Sequence, residues 1–171
     1  MDTRQPPPRI VVMGVSAVGK STIGRRLAEA LDLPFIDADD LHVPAAIEKM
    51  SSGVPLTDAD RLPWLRECGR ALTAAEGGAV IACSALTRAY RDELRDEASD
   101  AVFVHLDADP VHIQERAAQR TGHFMPPSLL ASQLATLQPL DSGERGVTVD
   151  AVQPVDAVVA DVVAALGALT P

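Results

Sequence analysis

Residues 14–21 read Gly14-Val15-Ser16-Ala17-Val18-Gly19-Lys20-Ser21, the spacing G-x-x-x-x-G-K-[ST]. Glycines at the two ends let the backbone curl until consecutive N–H groups point inward, which makes a cradle for a polyphosphate. Lys20 is spaced to reach the β- and γ-phosphates, and Ser21 to hold a magnesium ion. Ser16, Ala17, Val18, Gly19, Lys20, Ser21 and Thr22 are the expected nucleotide contacts, and a helix starting at the loop adds its positive end. A glycine turn between a strand and a helix would not call for the Lys-Ser pair.

A second group of reactive side chains follows in Asp37-Ala38-Asp39-Asp40-Leu41-His42. Carboxylates two residues apart at the end of a strand share one side of the pleat. Asp37 is placed to hold magnesium through water, and Asp39 to accept the proton of an attacking hydroxyl. In phosphoryl transfer such a carboxylate acts more by orientation than by basicity. Asp40 reads as a cap of the next element, and His42, taken alone, as a structural hydrogen-bonding group.

Further along, Lys49, Arg61 and Trp64 fall in the stretch 47–65. Thr57 or Asp58 can cap the helix that carries Arg61. On spacing alone Arg61 either pairs with Asp58 or binds an anion. Trp64 and Leu65 read as the core side of that helix. Arg88 and Arg91, three apart, share a helix face. They are a candidate anion site, unless Arg88 simply pairs with Asp92. Arg116 and Arg120, four apart, are candidates for a lid that excludes water and stabilises the transferring phosphoryl group. The competing reading pairs them on the surface with Glu115 or Asp109.

These groups need a frame. Apolar runs at Arg9–Met13, Pro34–Asp37, Ala79–Cys83, Ala101–Leu106 and Gly146–Val149 read as strands covered on both faces. Helical patterns alternate with them near Lys20–Leu31, Ala45–Ser51, Ala59–Ala75, Ala89–Glu97, Pro110–Thr121, Pro126–Leu137 and Val155–Leu169. Asp109-Pro110 suits the start of one of these helices and Gly122 its end. The alternation implies an α/β domain of three layers around a five-stranded, mainly parallel sheet, with ligands at the carboxyl ends of the strands.

Composition narrows the partners. The 171 residues suit one domain, expected over 9–171, with residues 1–8 as a polar, proline-rich tail. The net charge is −9, which argues against a nucleic-acid binder. No apolar run reaches the ~18 residues of a membrane helix. Cys68 and Cys83 have no metal-ligand spacing and fit a reduced cytoplasm. The chain has thirteen arginines but two lysines, Lys20 and Lys49. An acidic protein that binds anions must concentrate its positive charge, and one of the two lysines already lies in the phosphate loop.

Taken together, several blocks resemble the gluconokinases of the short phosphate-loop type, which are related to shikimate and nucleoside monophosphate kinases. They are Gly14–Ser21, Asp37-Ala38-Asp39 with His42, Ile47–Met50, Gly53–Leu65, Cys83–Leu86 with Tyr90-Arg91-Asp92, and Gly122-His123-Phe124 followed by Ser132-Gln133. The block ending Asp58-Ala59-Asp60-Arg61-Leu62-Pro63-Trp64-Leu65 is the most family-specific. The resemblance implies a P-loop kinase fold with a substrate-binding region at about 41–77 and a lid at about 116–138. It implies ATP and Mg2+ as cofactors, and phosphorylation of the 6-hydroxyl of D-gluconate to 6-phosphogluconate by a cytoplasmic homodimer. Asp39 would orient the acceptor hydroxyl. His42, Arg61 and Arg91 would line its pocket, with Lys49 and Arg88 as lesser candidates. Gln153 and Pro154 would meet adenine. Thr87 and Thr121 stand where the family often has lysine, Ala38 replaces a usual glycine, and Val43-Pro44 replaces a proline directly after the histidine.

Two other readings compete. A same-fold kinase with another acceptor, such as shikimate, would show a glycine triplet after the third strand, where Ala82-Cys83-Ser84-Ala85 stands. A guanine-nucleotide switch without acceptor chemistry would need an Asn-Lys-x-Asp element. Neither lysine is in one.

Overall fold

A computed structural model of the chain describes residues 6–119 and 127–169. The elements run β1 (Arg9–Met13), α1 (Lys20–Leu31), β2 (Phe35–Asp37), α2 (Pro44–Ser51), α3 (Asp58–Ala74), β3 (Ala79–Ala82), α4 (Arg88–Glu97), β4 (Val102–Asp107), α5 (Pro110–Gln119), α6 (Pro127–Thr136), β5 (Gly146–Asp150) and α7 (Val155–Ala168). A 3-10 turn at Ala38–Leu41 follows β2, where the sequence suggested only an acidic turn. Arg120, expected in the lid, lies outside the described residues, as do Thr121, Gly122, His123 and Phe124.

The five strands are all parallel, in the order β2-β3-β1-β4-β5. Their apolar runs are explained by position: β1 and β3 lie inside the sheet, and helices cover both faces. On one face α1 packs against α7, and on the other α3 packs against α4. Because β1 is central, the chain leaves it in one direction to build β2 and β3 and in the other to build β4 and β5. The register sets Asp37 of β2 opposite Ala82 of β3, and Ala82 opposite Val12 of β1. The end of β2 therefore stands at the same carboxyl edge as the start of the phosphate loop, where sheets of this kind bind ligands.

Candidate active site

The phosphate loop is held open from below. Gly14 has φ +147°, and a Cβ there would lie 2.9 Å from Val18 Cγ1 and 3.0 Å from the Leu106 carbonyl oxygen. Its N–H donates to the Ser84 carbonyl at 3.3 Å, tying the loop to the end of β3. Gly19, at φ +106°, starts α1 with no side-chain cap, and the first turn of α1 carries no acidic residue. The first N–H groups of α1 thus remain available to an anion, with the helix dipole behind them. Lys20 Nζ donates to the Val15 carbonyl of its own loop at 3.0 Å.

Ser21 and Asp37 meet across the loop, with Ser21 Oγ donating to Asp37 Oδ2 at 3.3 Å. A hydroxyl and a carboxylate at the edge of a phosphate cradle are the hard oxygen donors that magnesium shares with nucleotide phosphates. Among the described residues no cluster of three His, Cys, Asp or Glu side chains forms a separate metal cage. The other oxygen of Asp37 accepts the Asp39 N–H at 3.0 Å and so caps the 3-10 turn. That cap leaves the Asp39 side chain 81% exposed, in the open cleft.

Beyond Asp39 the floor is built by α3. Trp64 donates from Nε1 to the Ala38 carbonyl at 2.7 Å. Its ring stacks on His42, centroids 4.1 Å apart and planes 17° from parallel. His42 Nε2 lies 3.8 Å from Asp39 Oδ1. Burial pushes the His42 pKa below its ordinary value, against the pull of Asp39. Arg61 sits 5.3 Å over the Tyr90 ring and donates to its hydroxyl at 3.4 Å, while that hydroxyl donates to Asp58 Oδ1 at 2.6 Å. The Arg61–Asp58 link suggested by spacing thus runs through a tyrosine from another helix, and the guanidinium still lines the cleft.

Two cavities result. One, of about 330 Å³, runs from the phosphate loop past Arg116 and Gln119 to Ala151, Gln153 and Val155. The other, about 90 Å³, is lined by His42, Arg61, Trp64 and Ser84 among others. Ser16, Lys20 and Asp39 line both. A phosphoryl group held by the loop and a hydroxyl held in the smaller cavity would meet at these three residues.

The remaining expected site residues fall as follows. Arg116 Nη1 donates to the Val18 carbonyl at 3.0 Å, at the rim of the loop, and not to Glu115 or Asp109. Gln153 faces the larger cavity, though its amide also donates to the Asp150 carbonyl and to Asp161. Pro154 is the N-cap of α7 beside it.

Three expected acceptor residues point elsewhere. Arg91 is wholly buried: it forms a two-pronged ion pair with Glu144 at 2.7 and 2.9 Å and donates to the carbonyls of Ala85, Gln138 and Pro139. Glu144 lies 53 residues downstream of Arg91, a distance no local pattern bridges. Arg88, outward on the same helix, is bound to Asp92 at 3.0 Å and Asp141 at 2.6 Å, so the pairing alternative describes it. Lys49 is held by Asp60 at 2.8 Å, which ties α2 to the capping box of α3. That bond, followed by those from Thr57, holds the Asp60 carboxyl down to about 2. The Trp64 shelf under His42, the Tyr90 bridge between Asp58 and Arg61, and the contact of Gln133 with the loop were not foreseen, although Asp58, Trp64, Tyr90 and Gln133 all fall in the blocks that carry the family resemblance.

The loop at the central strand, the strand order and the paired cavities define a phosphate-loop kinase for small molecules. The shikimate kinase family model matches residues 16–140. A gluconokinase of Gluconobacter oxydans (strain 621H) is 51% identical over 135 residues, 77% of this chain and 76% of its own. The chain belongs to the gluconokinase family, within the shikimate kinase type of domain. Its structure is similar to that of a gluconokinase from Sinorhizobium meliloti 1021, with TM-score 0.88 and 48% identity over 97% of this chain and 95% of that one. It is equally similar to an unliganded sugar kinase from Janibacter sp. HTCC2649, with TM-score 0.89 and 42% identity over 97% and 99%.

Proposed function

We propose that this enzyme transfers the γ-phosphoryl group of ATP to the 6-hydroxyl of D-gluconate, giving 6-phosphogluconate and ADP. The observation that carries this is the junction of the two cavities at Ser16, Lys20 and Asp39. The reading assigns the larger cavity to ATP: the loop from Gly14 to Thr22 holds the phosphates, and Gln153 and Pro154 border adenine. Gluconate is a small anion rich in hydroxyls. Arg61, braced by Tyr90 and Asp58, takes its carboxylate, while His42 on the Trp64 shelf and Asp39 take hydroxyls. Burial disfavours the charged form of His42, so its neutral ring has one nitrogen to donate and one to accept.

In the reaction the 6-oxygen bonds to the γ-phosphorus as the bond to the β–γ bridging oxygen breaks, and the hydroxyl proton passes to the Asp39 carboxylate. Lys20 follows the charge that develops on the phosphoryl oxygens. Ser21 and Asp37 would hold magnesium, which when bound neutralises phosphate oxygens. Arg116 at the rim, with Arg120, would belong to a lid that covers the phosphates. Family resemblance supports a homodimer and the two unpaired cysteines a reduced cytoplasm, and light scattering of the purified protein checks the dimer.

The test is ADP formation with ATP and magnesium across gluconate, other sugar acids, shikimate and AMP. Gluconate alone should give robust turnover. A gluconate rate no higher than background ATP hydrolysis sinks the proposal.

A further inference from the structure

The helix α6 sends one side chain into the phosphate loop. Gln133 Oε1 accepts the backbone N–H of Ser16 at 2.7 Å, across 117 residues of sequence. Gln133 also lines the smaller cavity together with Ser16, Lys20 and Asp39. It therefore touches the loop at the point where the donor and acceptor cavities join, on the acceptor side.

Its position is fixed from behind. Two residues past the end of α6, the Gln138 N–H donates to the Leu86 carbonyl at 2.7 Å, and Gln138 Oε1 accepts the Arg88 N–H at 2.9 Å. The Gln138 carbonyl accepts from Arg91, whose guanidinium is locked by Glu144. A helix rooted this way holds the Gln133 amide to a defined place, the condition for a side chain that orients others.

Resting on the proposed kinase reaction, we infer that Gln133 is a positioning residue for phosphoryl transfer. It fixes the Ser16 peptide on the acceptor-facing side of the loop, and its neutral amide stands next to the γ-phosphoryl group. Neutrality is the point of the residue type. A carboxylate at this place also accepts the Ser16 N–H, but it sets a negative charge against the γ-phosphate, where the like charges repel. The β-phosphate, deeper in the loop, is affected far less.

Two substitutions test this against a merely structural role, with folding checked by thermal midpoint. Gln133→Ala should lower kcat for gluconate by about tenfold or more and leave ADP affinity within twofold. Gln133→Glu should weaken a non-hydrolysable ATP analogue by about tenfold or more and again leave ADP within twofold. The inference is overturned if Gln133→Glu affects the two nucleotides equally, or if Gln133→Ala keeps kcat within twofold. Wild-type turnover with gluconate is the control: its absence would fault the kinase reading, whereas active wild type with indifferent variants faults the role of Gln133.

Discussion

Replacing Glu144 with glutamine should cost the protein about 3–5 kcal/mol of stability at neutral pH, the range for removing one partner of a buried ion pair. Both side chains of the Arg91–Glu144 pair are fully buried. Glu144 accepts from Arg91 at 2.7 and 2.9 Å, from Arg95 at 2.9 Å and from the Asp141 N–H at 3.0 Å. Glutamine keeps the shape but turns an NH2 group toward one of these donors and leaves the Arg91 guanidinium without a counter-charge. A second route gives a similar figure. Burial alone would raise the Glu144 pKa, but the hydrogen bonds from Arg91, Asp141 and Arg95 outweigh it and hold the carboxyl at about 2, against an ordinary 4.5. That difference is worth about 3 kcal/mol. Because the folded pKa is depressed, the contribution is whole above about pH 4.5 and is lost as the pH falls toward 2. Urea unfolding followed by the fluorescence of Trp64, the sole tryptophan, reads both effects. The wild-type-minus-variant gap should be largest at pH 7 and shrink between pH 5 and pH 3. A gap below about 1 kcal/mol at pH 7, or one unchanged by acid, refutes the argument.

Asp39→Asn should lower kcat by about 10²–10⁴-fold with ATP-analogue affinity nearly unchanged; retained kcat in a steady-state assay removes Asp39 from the chemistry. Gly14→Ala forces a Cβ against Val18 and the Leu106 carbonyl at positive φ, so calorimetry should show nucleotide binding reduced about 5- to 150-fold, equivalent to about 1–3 kcal/mol for one strained residue. Arg88→Ala, which removes ion pairs with Asp92 and Asp141, should leave kcat/KM for gluconate within about twofold, as expected for exposed pairs; a larger loss would return Arg88 to the acceptor site. Trp64→Phe strands the Ala38 carbonyl and should destabilise the fold by about 1–3 kcal/mol, read by thermal midpoint, while raising KM for gluconate.

Much of this molecule could be read from its residues because its signals are local. The five strands fall within a residue or so of the apolar runs, and α1 coincides with the span expected from its pattern. The phosphate loop is legible because its chemistry is written in consecutive positions. The acceptor side is not, because it depends on which face of a helix turns inward. Arg88 and Arg91 share a face by spacing, yet Arg91 is drawn into the interior by a carboxylate on a distant connector, and Arg88 is held outside by Asp141 of the same connector. Lys49 looks like an anion-binding group until the N3 residue of the next helix, Asp60, claims it. Only tertiary packing decides such competitions among charged partners.

The Arg91–Glu144 pair also sets a boundary on how the chain can be recombined. The groups proposed to hold the acceptor fall mostly in one contiguous stretch, from Asp39 through Tyr90, whereas the loop, Arg116 and Gln153 lie on either side of it. Specificity could therefore be exchanged between relatives as a cassette, leaving the nucleotide side untouched. A cassette that runs past Arg91 but stops short of Glu144, however, would separate an arginine from its buried glutamate on the far side of β4. Chimaeras that carry both members from one parent should fold, and those that split them against a parent lacking the pair should not.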